Sequence, residues 1–174
     1  GEDVDGDPLT FLASVDANGS ASIDGTTLSV TPNQDYNGDL TVNVIASDGQ
    51  ASGSGSFTLT VNPVNDVPVL STIDAQSIDE DSSLTLTLSA SDVDGDDLTY
   101  SASVDGNGSA NIDGSTLTVT PAADYNGDIT VNVVASDGQA SGSGSFILTV
   151  TPVNDAPVLS TIDAQSIDED SSLT

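Results

Sequence analysis

"DITVNVVASDGQASGSGSFILTV", Asp128–Val150, decides the fold. Its first half places Ile129, Val131, Val133 and Ala135 at alternate positions, and its second half does the same with Phe146, Leu148 and Val150. Successive side chains of an extended strand point to opposite faces, so a period of two marks two half-buried strands joined at the "ASDG" turn. Working outward, "LTLTLSA" alternates in the same way through Leu84, Leu86, Leu88 and Ala90 and is predicted as one strand. "NIDGSTLTVTP" carries an Asp113-Gly114 hairpin signal between apolar positions Ile112 and Leu117 or Val119. No segment sustains a helical period. Several short strands with regularly spaced turns predict an antiparallel β-sandwich.

The pattern occurs twice. "VNDVPVLSTIDAQSIDEDSSLT" at Val64–Thr85 returns as "VNDAPVLSTIDAQSIDEDSSLT" at Val153–Thr174, an offset of 89 residues. The offset holds without a gap, and 69 of the 85 positions it pairs are identical. Such a period is the signature of a tandem array of small domains. The expected fold class is therefore all-β, with antiparallel sandwich repeats of 89 residues and about seven strands each, forming a linear rod. Boundaries are expected inside "PVNDVPV", where Pro63 and Pro68 stiffen the connection. Residues 67–155 then form one complete repeat. Residues 1–66 lack their first two strands, and 156–174 begin a third repeat. Tyr125, just before the "ITVNVV" strand, and Tyr36 in the first copy stand where a tyrosine corner would fix the strand start.

Charge sets the chemistry. The chain has 28 Asp and Glu, no Lys, Arg or His, and no Cys, for a net charge of −28. Nucleic-acid recognition rests on Lys and Arg and is not expected. No apolar run is long enough to cross a membrane, so insertion is not expected either. Acid–base and nucleophilic catalysis lack their usual side chains, so no enzyme activity is expected. Carboxylates brought close together here need a cation from solution, because no side chain supplies one.

The strand order brings them close. "DVDGDD", with Asp92, Asp94 and Asp96, falls in the loop after the second strand of its repeat. Asp137, in the loop before the last strand, lies at the same end, where the linker delivers Asn65 and Asp66 and the preceding repeat presents Asp35 and Asp39. A second junction is expected to gather Glu80, Asp81, Asp124, Asn154 and Asp155. The first copy of the loop, Asp3, Asp5 and Asp7 with Asp48, has no upstream partner within the 174 residues and is expected to bind more weakly. All donors are oxygen, which suits Ca²⁺ with its six to eight ligands, whereas Zn²⁺ favours His and Cys. A helix–loop–helix Ca²⁺ site starting at Asp92 fails, because Asp97 and Ser103 stand where Gly and Glu are required. The glycine-rich nonapeptide repeat of β-rolls is absent.

"IDEDSSLTLTLSASDVDGDDLTY", "DYNGD", "VVASDG" and "VTPVNDAPV" together resemble the cadherin-like tandem repeats of very large secreted, RTX-type bacterial adhesins, over the whole chain. The resemblance implies a cadherin-like, Ig-like sandwich and Ca²⁺ at the junctions. It assigns Glu80 the part of an early glutamate and Asp92 and Asp94 that of a paired aspartate. The Asn65-Asp66 linker is shorter than the Asp-x-Asn-Asp-Asn run of cadherins, which leaves the ion number open. The implied function is a calcium-rigidified spacer at the bacterial surface or outside the cell, its partners being neighbouring repeats. Two other functions stay open at this level: a filament in which chains lend strands to other copies, and a carbohydrate- or surface-binding module.

Overall fold

A computed structural model describes residues 1–174, with fourteen β-strands and no helix. The strands are β1 (Thr10–Val15), β2 (Gly19–Asp24), β3 (Thr27–Pro32), β4 (Gly38–Ser47), β5 (Ser52–Val61), β6 (Val69–Leu70), β7 (Gln76–Asp79), β8 (Leu84–Thr87), β9 (Ala90–Ser91), β10 (Thr99–Val104), β11 (Gly108–Asp113), β12 (Thr116–Pro121), β13 (Gly127–Ser136) and β14 (Ser141–Thr151). The period survives folding: β10 to β14 start 89 residues after β1 to β5, one by one.

The chain forms two compact units. The first comprises Gly1–Ser71, Ala90–Thr99 and Ala135–Gly142. It holds the three-stranded sheet β1-β4-β5, the hairpin β2-β3 and the short ladder β6-β9. The second comprises Thr72–Ser89, Tyr100–Val134 and Ser143–Thr174. Its strands make up a four-stranded sheet, β10-β13-β14-β7, and a three-stranded sheet, β11-β12-β8. The units therefore do not coincide with the repeats, because two loops of the second repeat cluster with the linker and the first repeat.

Local chemistry explains the turns. In both β2-β3 and β11-β12 the glycine after the final aspartate takes the first turn position, with φ of 59° at Gly25 and Gly114. The tyrosine corner forms in both copies but bonds forward, not back. Tyr125 Oη donates to the Asp128 carbonyl at 2.9 Å and Tyr36 Oη to that of Asp39 at 3.0 Å. A Cβ at Gly127 would lie 2.9 Å from Tyr125 Oη, so the hydroxyl uses space that only glycine leaves.

Two expectations need correction. "LTLTLSA" is not one strand: β8 pairs with β12, whereas β9 pairs with β6. The break falls at buried Leu88, whose N–H donates to the Ser115 carbonyl at 2.8 Å, and the chain leaves one sheet for another there, as sandwich corners require. Nor is the sandwich wholly antiparallel, since β7 runs parallel to β14, with Leu148 opposite Gln76 and Val150 opposite Ile78.

The core shows what completes a repeat. In the second copy Leu84, Leu88, Leu117, Val119, Ile129, Val131, Val133, Phe146, Leu148 and Val150 are buried. In the first, only Leu40 and Val42 are. Phe146 is 4% exposed and its counterpart Phe57 is 47% exposed. The two phenylalanines stand at equivalent positions, so the difference lies in their cover: β7 and β8 have no counterpart on β5 and β3.

Candidate metal centre

Each aspartate loop is first shaped by its own backbone. Asp92 Oδ1 accepts the Asp94 N–H at 2.9 Å and the Asp96 N–H at 3.4 Å. Asp3 Oδ1 does the same for Asp5 at 2.9 Å and Asp7 at 3.2 Å. This winding turns the side chains inward: carboxylate oxygens of Asp92, Asp94 and Asp96 all lie within 4.8 Å of one another. The companion loop is built likewise. Asp137 Oδ1 accepts the Gln139 and Ala140 N–H groups at 2.6 Å each, and Asp48 Oδ1 accepts Gln50 at 2.7 Å and Ala51 at 2.6 Å.

Tertiary contacts within the first unit then join linker and loops. Asp94 Oδ2 accepts the Asp66 N–H at 2.8 Å across 28 residues of sequence. Asn65 Nδ2 donates to Asp137 Oδ2 at 2.9 Å, and Gln139 Nε2 donates to Asn65 Oδ1 at 2.8 Å. A concavity lined by Asp35, Tyr36, Asn37, Asp66 and Asp94 adds the first repeat's loop. The structure therefore gathers Asp35, Asn65, Asp66, Asp92, Asp94, Asp96 and Asp137 in one region. Gln139 is a residue that sequence reasoning passed over; its position two residues after Asp137, in "ASDGQA", was the available signal. Asp39 does not line this concavity; its Oδ1 accepts the Thr60 hydroxyl at 2.7 Å.

Electrostatics mark the linker as the stressed part. Desolvation, and then the charges of Asp35, Asp94 and Asp92, raise the Asp66 carboxyl above its ordinary pKa of 3.8. Asp137 is lowered by the Ala140 N–H, the Asn65 amide and the Gln139 N–H, in that order. Asp48 is lowered by the Ala51 and then the Gln50 N–H groups, with no side-chain amide contributing. Its copy of the loop has no counterpart of Asn65 or Asp66 within the 174 residues.

A second cluster lies in the second unit, where carboxylate oxygens of Asp81, Asp124 and Asp155 fall within 4.8 Å of one another. Asp81 and Asp124 both adopt left-handed backbone, with φ of 61° and 55°. Aspartate visits that region more readily than most residues. Asp124 N–H also donates to Asp81 Oδ1 at 3.3 Å. Glu80 is buried beside the cluster and holds the linker, since Oε1 accepts the Val153 N–H at 2.6 Å and Oε2 the Asn126 amide at 3.4 Å. Asn154 turns its amide to the Asp155 carbonyl at 2.9 Å.

The donor set fits Ca²⁺ on three counts. Ligand oxygens at 2.3–2.6 Å from one ion are separated by up to about 5 Å, which matches the observed spacing. The donors are carboxylates, amides and backbone carbonyls, and no protein cation competes for them. Finally, Asp92 Oδ2 is buried without any hydrogen-bond partner, and buried acceptors are rarely left so. Asp35, Asp66, Asp92, Asp94 and Asp96 would hold such an ion in the first unit, with Asn65 and Asp137 behind them; Asp81, Asp124 and Asp155 would hold one in the second.

A cation at this site would compete with the proton for Asp66. A raised folded-state pKa means that its contribution to stability is present below about 3.8 and lost as pH rises through the folded value. A bound cation would reverse that penalty at neutral pH. Apparent Ca²⁺ affinity is expected to fall on acidification, beginning above the ordinary carboxylate range, and Asp66→Asn to shift the onset downward. Calcium titrations at a series of pH values check this; an affinity that is flat through that range contradicts it.

A model of the bacterial Ig domain matches residues 1–62 and again 65–151. A curated relative, Chitinase A of Pseudoalteromonas piscicida, is 35% identical over 156 residues, which is 85% of this chain but 18% of that protein. Among solved structures, EC1-2 of human protocadherin-24 superposes with a TM-score of 0.57 at 18% identity, covering 88% of this chain and 85% of the other. An endo-fucoidan hydrolase from glycoside hydrolase family 107 matches with a TM-score of 0.40 at 20% identity, over 86% of this chain and 24% of that one. The chain thus spans a quarter or less of both of these enzymes.

Proposed function

The chain belongs to the bacterial Ig domain family, and from that premise we propose that it is a calcium-stiffened spacer of an extracellular bacterial surface protein. Domains of this class usually occur in extracellular or surface proteins and are typically non-catalytic. No helix of the chain is long and apolar enough to cross a membrane. The observation that carries the reading is the buried, unpartnered Oδ2 of Asp92, a residue whose carboxylate belongs to a cluster with no protein cation to neutralise it.

Bound Ca²⁺ would supply positive charge shared among several oxygens. The chain's own part is to present them: Asp92 winds the loop, Asp94 grips the linker at the Asp66 N–H, and Gln139 fixes Asn65 against Asp137. Without the cation, Asp35, Asp66, Asp92 and Asp94 repel one another and the linker between repeats is free to bend. With it, linker and loops are tied to one ion. A small share of a much longer enzyme, as in the chitinase relative, is what a spacer would occupy. Small-angle scattering is expected to show a narrower distribution of distances and a larger maximum dimension in millimolar Ca²⁺ than in chelator. Identical curves under both conditions contradict the stiffening.

A further inference from the structure

The linker that carries Asn65 and Asp66 is gripped from two sides within the first unit. On one side Asp94 Oδ2 accepts the Asp66 N–H, and further on Val69 and Leu70 of β6 pair with Ser91 and Ala90 of β9. On the other side Asn65 is bonded to Asp137 and Gln139. Pro68 stands between these grips and its side chain is fully buried, although proline is mostly an exposed residue. Its backbone passes directly over Gly142, near the start of β14. A Cβ on Gly142 would collide with the Pro68 carbonyl oxygen and would lie 3.1 Å from the carbonyl carbon. Gly142 is not left-handed, so the backbone there does not require glycine and the space does. A glycine inside a strand weakens it and marks a place where another backbone comes close.

We propose that Gly142 is a positioning residue of the candidate cation site: its bare backbone seats the Pro68 carbonyl, and this seat holds Asn65 and Asp66 at the Asp137 and Asp94 loops. A carbonyl of the main chain cannot turn aside from an added methyl as a flexible side chain would. The linker itself must lift. The displacement reaches Asp66 undiminished, because only Val67 separates it from Pro68, whose ring fixes its own φ and restricts the residue before it. Asp66 N–H then moves away from Asp94 Oδ2, and Asn65 from Asp137. The consequence for cation binding rests on the calcium reading, whereas the seat itself does not.

Nuclear magnetic resonance of the full 174-residue chain in chelator tests the seat. In Gly142→Ala the cross-strand Overhauser contacts between β6 and β9 are expected to be lost, while those between β10 and β13 persist. Gly53→Ala adds the same methyl at the equivalent position of β5, where a Cβ meets nothing within 4 Å, and is expected to keep the β6–β9 contacts. Calorimetric titration with Ca²⁺ then reads the consequence. Gly142→Ala is expected to lower affinity at least about tenfold, the scale of an overpacked contact. Combined with Asn65→Ala, which frees the linker from Asp137, its loss is expected to fall short of additive, since both changes release one segment. Intact β6–β9 contacts in Gly142→Ala overturn the inference. So does a loss that extends to β10 and β13, which would give Gly142 a global structural role. Fully additive losses of affinity overturn it as well. Because the resonance experiment needs no Ca²⁺, it decides the seat even for a chain that fails to bind the ion and so defeats the calcium reading.

Discussion

Phe146→Ala is expected to destabilise its repeat by about 3–5 kcal/mol, whereas the same change at Phe57 costs about 1 kcal/mol. The two residues are sequence equivalents, so the contrast isolates tertiary cover. Phe146 is 4% exposed within a sandwich that β7 and β8 complete, and truncation leaves a cavity in that buried core. Phe57 is 47% exposed, has already left part of its ring in water and loses correspondingly less. Chemical denaturation followed by hydrogen exchange of β13 and β4 reads the two repeats separately. Losses of equal size would show that the first repeat buries Phe57 in solution, which would contradict its half-exposed position.

Calcium is expected to raise the stability of each loaded site by about 2.7 kcal/mol at a hundredfold excess over its dissociation constant. For repeats of this size that corresponds to an increase in Tm of roughly ten degrees or more. Asp92→Asn is the sharpest probe of the first-unit site. It retains an oxygen to accept the Asp94 N–H but puts an amide donor in place of the buried, unpartnered Oδ2. The calcium-dependent part of the Tm shift assigned to this site is expected to vanish and its affinity to fall at least about tenfold, a change of about 1.4 kcal/mol. Asp97→Asn removes the same charge one residue beyond the cluster and is expected to leave affinity nearly unchanged. Calorimetric titration decides: equal binding by Asp92→Asn and wild type would defeat the site, and an equal loss in Asp97→Asn would reduce the effect to net charge.

Much of the site could be read locally. The turn at Asp3 and the turn at Asp92 are wound by nearly identical bonds, 2.9 Å to the second residue on in each, because an aspartate followed by Val-Asp-Gly folds its backbone over its own carboxylate. The pairing of Asp94 with the Asp66 N–H, and of Asn65 with Asp137 across 72 residues, had no local signal beyond the placing of loops at one end of a repeat. Glu80 is a further case: it lies beside Asp81, Asp124 and Asp155, and the donors its two oxygens accept from, the Val153 N–H and the Asn126 amide, are set by the fold.

The alternation of apolar residues determined the strands, and the 89-residue offset determined that they come twice, because side-chain period and turn chemistry are properties of a few neighbouring residues. Only the tertiary structure showed how strongly burial differs between equivalent side chains of the two copies. Leu59 and Leu148 stand in nearly the same local sequence, with Thr58 replaced by Ile147, but Leu148 lies beside a strand that begins 72 residues earlier. Burial is settled by partners that are distant in sequence, and so one repeated stretch yields a filled sandwich in one place and an open edge in the other.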